Sequence, residues 1–284
     1  MVNILTDSAS DLEPEEFEKL KVTCVPLSVT FGDREYRETL ELSKAEFYKL
    51  LTDPEQPDPK TSQPAPVDFE APLRAAKERG EGSVVITLSA SLSGTYQNAV
   101  LAKERLEYED CYIIDSCTAV GGQRLLVEYA VKLREEGKTA AEIAQAVTEL
   151  RPRVTIYACI DTVEYLRRGG RISHLAAAVA AFAHVKPLIH VTEDGKIDIP
   201  AKAMGRQQGL KYLQKMVDAL PPDPEFPFYA MYAAYSDNAE WMVKALKKQG
   251  VSIPKKNIIN IGAAIGSHIG PRGFGYAYIR KADL

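Results

Sequence analysis

The sequence predicts an α/β fold in two domains. An N-terminal parallel-sheet α/β/α unit covers 1–150 and a C-terminal mixed-sheet α/β unit covers 151–284. Three observations carry this. Short apolar strands alternate with amphipathic helices through the first half, and an Asp-Gly turn, Asp194-Gly195, joins two strand-like runs in the second. At 284 residues the chain is longer than the commonest single domain.

The elements follow in order. Val2, Ile4 and Leu5 mark a first strand, which runs into the polar turn Thr6-Asp7-Ser8-Ala9-Ser10-Asp11. A short helix follows with Pro14 in its first turn and acidic neighbours, as the helix dipole favours. Residues 22–31, rich in Val, Thr and Leu, read as one extended stretch that Gly32-Asp33 turns back toward Tyr36. Ser43 and Glu46 have capping-box spacing for a helix through Leu51. Pro54, Pro57, Pro59, Pro64 and Pro66 then rule out regular helix and predict a long extended loop.

The alternation resumes with a strand at 84–88, a helix from about Ser93, and a strand at 111–114 ending in Asp115-Ser116. Gly121-Gly122 leads into a helix that Gly137 ends, and Thr139 with Glu142 caps the next. Such an order implies right-handed crossovers and a parallel sheet covered on both faces. Ligands bind such sheets at the strands' carboxyl ends, where Thr6-Asp7-Ser8, residues 89–95 and Asp115-Ser116 all fall.

The second half opens with a strand at 154–161, followed by Glu164-Tyr165-Leu166-Arg167-Arg168-Gly169-Gly170-Arg171-Ile172-Ser173. Ser173 starts an alanine-rich helix through Ala183, apolar all round. The hairpin strands at 186–191 and 196–203, an amphipathic helix at 205–220, a strand at 226–234 and a helix at 238–250 come next. Strands at 258–261 and 276–279 enclose Gly266-Ser267-His268-Ile269-Gly270-Pro271. The pattern implies a mixed sheet with helices to one side.

Composition narrows the function. A net charge of −4 argues against nucleic acid or an anionic membrane as the main partner. Cys24, Cys111, Cys117 and Cys159 show neither C-x-x-C nor zinc spacing and read as reduced thiols; no metal or cofactor is implied. The chain enters its first strand at once, with no signal-peptide pattern, and the longest apolar stretch, 175–183, is too short to cross a bilayer. A soluble cytoplasmic protein is expected.

Two hydroxyl-rich segments are the candidate site. Lys60-Thr61-Ser62-Gln63-Pro64 lies in the proline-rich loop, and Ser89-Ala90-Ser91-Leu92-Ser93-Gly94-Thr95-Tyr96-Gln97 joins a buried strand to a helix. Helix starts offer unpaired N–H groups to an anion, and Gly94 permits close approach. On the junction alone, an N-cap and turn explain the second segment better than an anion site does.

In this order, Thr6-Asp7-Ser8, Lys60-Thr61-Ser62-Gln63-Pro64, Leu92-Ser93-Gly94-Thr95-Tyr96-Gln97, Asp115-Ser116, Tyr165-Leu166-Arg167-Arg168-Gly169-Gly170-Arg171-Ile172-Ser173, Lys186-Pro187-Leu188 and His268-Ile269-Gly270-Pro271 make a pattern that resembles the DegV family over essentially the whole chain. The resemblance implies a fatty-acid-binding protein, the non-catalytic acyl-carrying subunit of a bacterial fatty acid kinase. One long-chain fatty acid would occupy a tunnel at the domain junction. A separate ATP-binding subunit would convert its carboxylate to an acyl phosphate for phospholipid synthesis.

Physical chemistry fits that implication. Each buried methylene contributes roughly 0.8 kcal/mol, so a long tail gains on the order of 10 kcal/mol before ordering costs. The carboxylate needs donors: Thr61, Ser62 and Ser93 from hydroxyls, and Gly94 from its N–H. By family position, Arg171 and His268 lie near it, although a lone arginine or histidine beside glycines is often structural. The small residues of 175–183 would leave room for the tail, bordered by Phe182.

Two departures stand out. Relatives carry Arg-x-Arg-Lys-Lys after the hairpin, a region implicated in docking the kinase, where this chain has Met204-Gly205-Arg206-Gln207-Gln208. The other is Pro271-Arg272-Gly273, where Gly-Pro-Gly is commoner in the family. A lipid sensor or store without a kinase therefore remains an alternative. So does an enzyme, a hydrolase using Ser91 or Ser93 or a sugar-phosphate transferase, though no G-x-S-x-G elbow surrounds either serine. A monomer suits a carrier whose kinase-facing surface stays free.

Overall fold

The computed structural model describes residues 2–172 and 185–282. The expected helix from Ser173 to Ala183, with Phe182, lies outside the described residues. Three sheets organise the rest.

The first is fully parallel, in the order β2-β1-β6-β7. Its strands are β1 (Asn3–Asp7), β2 (Val22–Val25), β6 (Ser83–Thr87) and β7 (Cys111–Asp115). Every residue of β6 is buried, as a central strand covered on both faces requires. Helices α1 (Pro14–Leu20), α3 (Pro66–Glu78), α4 (Thr95–Arg105), α5 (Val120–Glu135) and α6 (Ala140–Leu150) supply the crossovers and covers. Thr139 and Glu142 form the expected reciprocal cap of α6.

The second sheet is antiparallel, order β4-β3-β5, from β3 (Ser28–Phe31), β4 (Arg34–Arg37) and β5 (Lys60–Ser62). It revises two expectations. Residues 22–31 do not form one extended unit: Pro26 has no N–H to give a ladder, so the chain leaves the parallel sheet and starts another. The proline-rich segment is not wholly loop either. Thr61 pairs with Val29 in β5, and Pro66 takes the first turn of α3, where its missing N–H costs nothing. Between them α2 (Lys44–Thr52) begins at Ser43, whose hydroxyl accepts the Glu46 N–H at 3.2 Å.

The third sheet has six strands in the order β10-β9-β8-β13-β11-β12. These are β8 (Val154–Cys159), β9 (Val185–Val191), β10 (Ile197–Met204), β11 (Tyr229–Tyr232), β12 (Ile258–Asn260) and β13 (Phe274–Ile279). Only the β11–β12 pair is parallel. Side chains alternate between two cores, as a two-residue period demands. Tyr157, Cys159, Tyr276 and Tyr278 pack in one cluster with residues of α8 (Gly205–Ala219) and α9 (Ser236–Lys247). Ile156, Ala158, Met231 and Ala277 belong to the cluster that holds the α5 residues. One face thus carries its own helices, as expected, while the other meets the first half of the chain. None of the helices described is long and apolar enough to cross a membrane.

Two short helices complete the site's frame, α7 (Glu164–Arg168) and α10 (Ala263–Ile269). The latter occupies the stretch before the last strand to which the sequence pattern assigns no element. Buried carboxylates anchor its start. Asp11 Oδ1 accepts the Gly262 N–H at 2.9 Å, and Glu38 Oε1 accepts the Ala264 N–H at 2.9 Å. Ser8 Oγ donates to the other Glu38 oxygen at 2.5 Å. Asp7, on the neighbouring turn, accepts the Leu88 N–H at 2.7 Å and the Gln123 amide at 3.1 Å.

Burial raises Asp7 and Asp11 from 3.8 to about 7, with nearby Glu38 acting in the same direction and Lys44 opposing it at Asp11. Between roughly pH 4 and pH 7 the folded state therefore holds protons that the unfolded chain has lost, and stability falls as pH rises through that window. Asp11→Asn keeps an acceptor for Gly262 and removes one titrating group. Thermal unfolding followed across that window should show a flatter decline for the variant than for the parent, by about 1 kcal/mol or more. Parallel profiles would refute the assignment.

Candidate functional site

An apolar cavity lies between the six-stranded sheet and α10, β5, the start of α5 and the loop after β6. About 860 Å³ between its lining atoms is free of protein, part of it open to solvent. Ile156 and Ala158 of β8 and Ile189 and Val191 of β9 form its floor, and Ala264 and Ile265 of α10 line it from the other side.

At one end the lining turns polar, with Thr61, Ser62, Gln63, Ser93, Arg171 and His268. Thr61 comes from β5 and His268 from the last turn of α10, so the site exists only when strand and helix are packed together. Thr61 Oγ1 and His268 Nε2 are 2.9 Å apart. Burial, with Arg171 adding to it, depresses the imidazole to about 4, leaving His268 neutral near pH 7. Its Nδ1 is buried with no hydrogen-bond partner among the described residues. Gly169 makes room for the ring: a Cβ there would fall 2.0 Å from Nδ1.

Arg171 ties two loops together. Its Nε donates to the Leu92 carbonyl at 3.1 Å, and its Nη1 donates to the Gly169 carbonyl. The guanidinium thereby fixes the Ser93 loop against the turn that supports His268. Ser93 Oγ lies 2.8 Å from Thr95 Oγ1 and accepts the Thr95 N–H at 3.3 Å, an ordinary helix-start arrangement. Ser93 thus makes a turn just before the helix, whose N-cap is Gly94, and also lines the cavity.

Thr61, Arg171 and His268 also border a second, polar cleft, together with Asp58, Lys60 and Arg168. Those three residues form the partition between an apolar interior and a polar, partly cationic vestibule. Arg168 is engaged there by Asp58 and by Glu164, the latter at 3.0 Å.

Thr61, Ser62, Ser93, Arg171 and His268 line one cavity. Gly94 behaves differently from expectation. Its N–H donates to Gln63 Oε1 at 2.9 Å, and a Cβ on it would fall 2.5 Å from that oxygen, so Gly94 lets Gln63 dock rather than facing the cavity itself. Gln63 and Gly169 were missed as functional residues. Their signal was adjacency: one follows Thr61-Ser62, the other precedes Arg171.

The hydrolase alternative gains no support from the geometry. Ser91 Oγ donates to the Asp194 carbonyl at 2.9 Å and Ser93 is paired with Thr95. Among the described residues, neither serine has a histidine within hydrogen-bond distance, the base that such a nucleophile requires. No group of three or more His, Cys, Asp or Glu among the described residues is placed to hold a metal ion.

Comparisons with known proteins converge. The family described as "Uncharacterised protein, DegV family" matches residues 1–281. A DegV domain-containing protein of Halalkalibacterium halodurans is 32% identical, the alignment covering 99% of each chain. Among solved structures, a fatty-acid-binding DegV family protein from Thermus thermophilus superposes with a TM-score of 0.88 at 28% identity, over 98% of this chain and 99% of that one. A stearic-acid-binding protein from Eubacterium ventriosum superposes with a TM-score of 0.87 at 28% identity, over 99% of both.

The imidazole packed on bare backbone generates a direct test. Gly169→Ala should expel the ring, lower stability by about 1–3 kcal/mol, and raise the His268 pKa from about 4 toward 6.5. A histidine titration by NMR that leaves this resonance unmoved would refute the packing argument.

Proposed function

We propose that this chain, which belongs to the DegV family, binds one long-chain fatty acid and presents it to a separate kinase subunit. The tail fills the apolar cavity, and the carboxylate sits at its polar end on Thr61, Ser62 and Ser93, with His268 and Arg171 behind them. Residues 1–150 supply the hydroxyls and 151–284 most of the acyl floor, which is the two-domain division proposed here. The partition of Thr61, Arg171 and His268 between cavity and vestibule carries this reading.

The chemistry supports it. A carboxylate leaving water needs hydrogen-bond donors, and each such bond to a charged group is worth about 1.5–3 kcal/mol. Thr61 and the neutral His268 can divide the work: with Nε2–H donating to Thr61 Oγ1, the threonine hydroxyl proton is free for the ligand. Neutral donors leave the carboxylate nucleophilic, whereas a bidentate arginine would hold its charge back. Acyl phosphate formation would then proceed from the vestibule side, where Lys60 and Arg168 favour a phosphoryl donor's approach.

A sensing or storage role without kinase coupling is the second reading, and one surface feature favours it. Where relatives are basic, Met204 is 61% exposed, and Gln208 Oε1 accepts the Met204 N–H at 2.9 Å. That edge offers an apolar and an amide group in place of cations.

Native mass spectrometry of the purified protein should reveal one fatty acid as a discrete added mass. Thr61→Ala and Ser93→Ala should each weaken retention roughly tenfold to a hundredfold. Loss of the added mass from the parent protein, or unaltered retention in both variants, would defeat the carboxylate assignment. Incubation with ATP and a fatty acid kinase subunit separates the readings: acyl phosphate supports the carrier, and none supports the sensor.

A further inference from the structure

The closed end of the cavity has a construction of its own. Ile189, Ala158, Gly275 and Met231 stand side by side across strands β9, β8, β13 and β11. Ile189, Ala158 and Met231 all line the cavity. Gly275, between the last two, has no side chain to offer; a Cβ there would lie 2.3 Å from the Tyr157 carbonyl oxygen. The floor is therefore lowest beside Met231, a 2% exposed residue on the rim of that dip.

Hydrogen bonds tie the Met231 strand to the start of α10 rather than to its His268 end. The Ile261 N–H donates to the carbonyl of Tyr232, the residue after Met231, at 2.8 Å. Ile261 in turn leads into the Gly262–Ala264 start of α10, held by Asp11 and Glu38. His268 lies in the last turn of that helix, about 6 Å beyond Ala264 at 1.5 Å per residue. The first turn of α5 closes the same end. A Cβ on Gly121 would lie 3.0 Å from Met231 Sδ, 3.0 Å from Ala277 Cβ and 3.3 Å from Tyr229 Cβ.

Those three contacts differ in softness. Ala277 and Tyr229 meet Gly121 through Cβ atoms fixed to the sheet backbone, whereas Met231 meets it through the middle of a flexible thioether. Any atom added at Gly121 therefore acts on Met231. We propose that Met231 is the stop that sets the longest acyl chain the cavity accepts, and that the bare Gly121 behind it sets how far the stop can withdraw. This rests on the fatty-acid reading above and assigns that site its length selectivity.

The test uses the full chain and a ladder of saturated fatty acids from lauric to arachidic, with affinity measured for each. Met231→Ala should move the optimum to longer acids, with a gain of about fourfold per methylene newly buried. Gly121→Ala should move it to shorter ones, because the alanine Cβ pushes the thioether toward the cavity. Alanine suits a helix better than glycine, which offsets the crowding against Ala277 and Tyr229, and that variant decides the matter alone should Met231→Ala fail to fold. A parent protein that retains no acid at all overturns the fatty-acid reading itself. A parent that binds, with variants that keep its length profile or shift it in the same direction, overturns only the role of Met231 and Gly121.

Discussion

Two buried carboxylates at the start of one short helix hold the candidate site together. Asp11 and Glu38, 1% and 3% exposed, accept N–H groups from Gly262 and Ala264. Such groups are costly to bury unless their oxygens have donors, and unpaired helix N–H groups are costly too, so each satisfies the other. The partners lie more than two hundred residues apart in the chain. Because the bonds are directional and sit in a dry interior, they fix α10 in position and in rotation. His268, one turn beyond Ala264, therefore reaches Thr61 rather than solvent.

From that anchor the site's electrostatics follow. A histidine held among apolar groups beside an arginine is driven neutral, and Arg171, with its Nε and Nη1 on backbone carbonyls, acts as a brace between loops. The result is a polar end built of hydroxyls, an imidazole and one fixed guanidinium. It suits a single anionic head better than a phosphate chain, which would call for several converging cations or a glycine-rich nest. On the apolar side, the two-residue period of the six-stranded sheet sends Ile156, Ala158 and Met231 toward the cavity and Tyr157, Tyr276 and Tyr278 away from it. Space for a ligand thus arises from which face received the small and flexible residues.

Much of this was legible one segment at a time. Apolar periodicity located most strands to within two or three residues, and Thr139 with Glu142 announced a cap that forms as read. Pro26 and Pro66 show where local reading failed. A proline marks a break, but whether the chain then starts a new sheet or a helix depends on what lies across from it. The stretch around Gly266 and Ser267 gave no helix signal, because glycine and serine are weak helix formers; tertiary capping by Asp11 and Glu38 made it α10. Gly94 was read as an anion donor because helix starts often are, and Gln63, distant in sequence, took its N–H instead.

By itself, then, the sequence determined the class of fold, the hydroxyl segments and their likeness to one family, since each is written in short-range patterns of residue type. Tertiary structure alone decided that Thr61 meets His268, that Gly94 serves Gln63, and that the Met231 strand is tied to the start of α10 rather than to its His268 end. Those facts depend on side chains brought together from opposite ends of the chain, with directions set by packing and buried hydrogen bonds, and no local pattern encodes them.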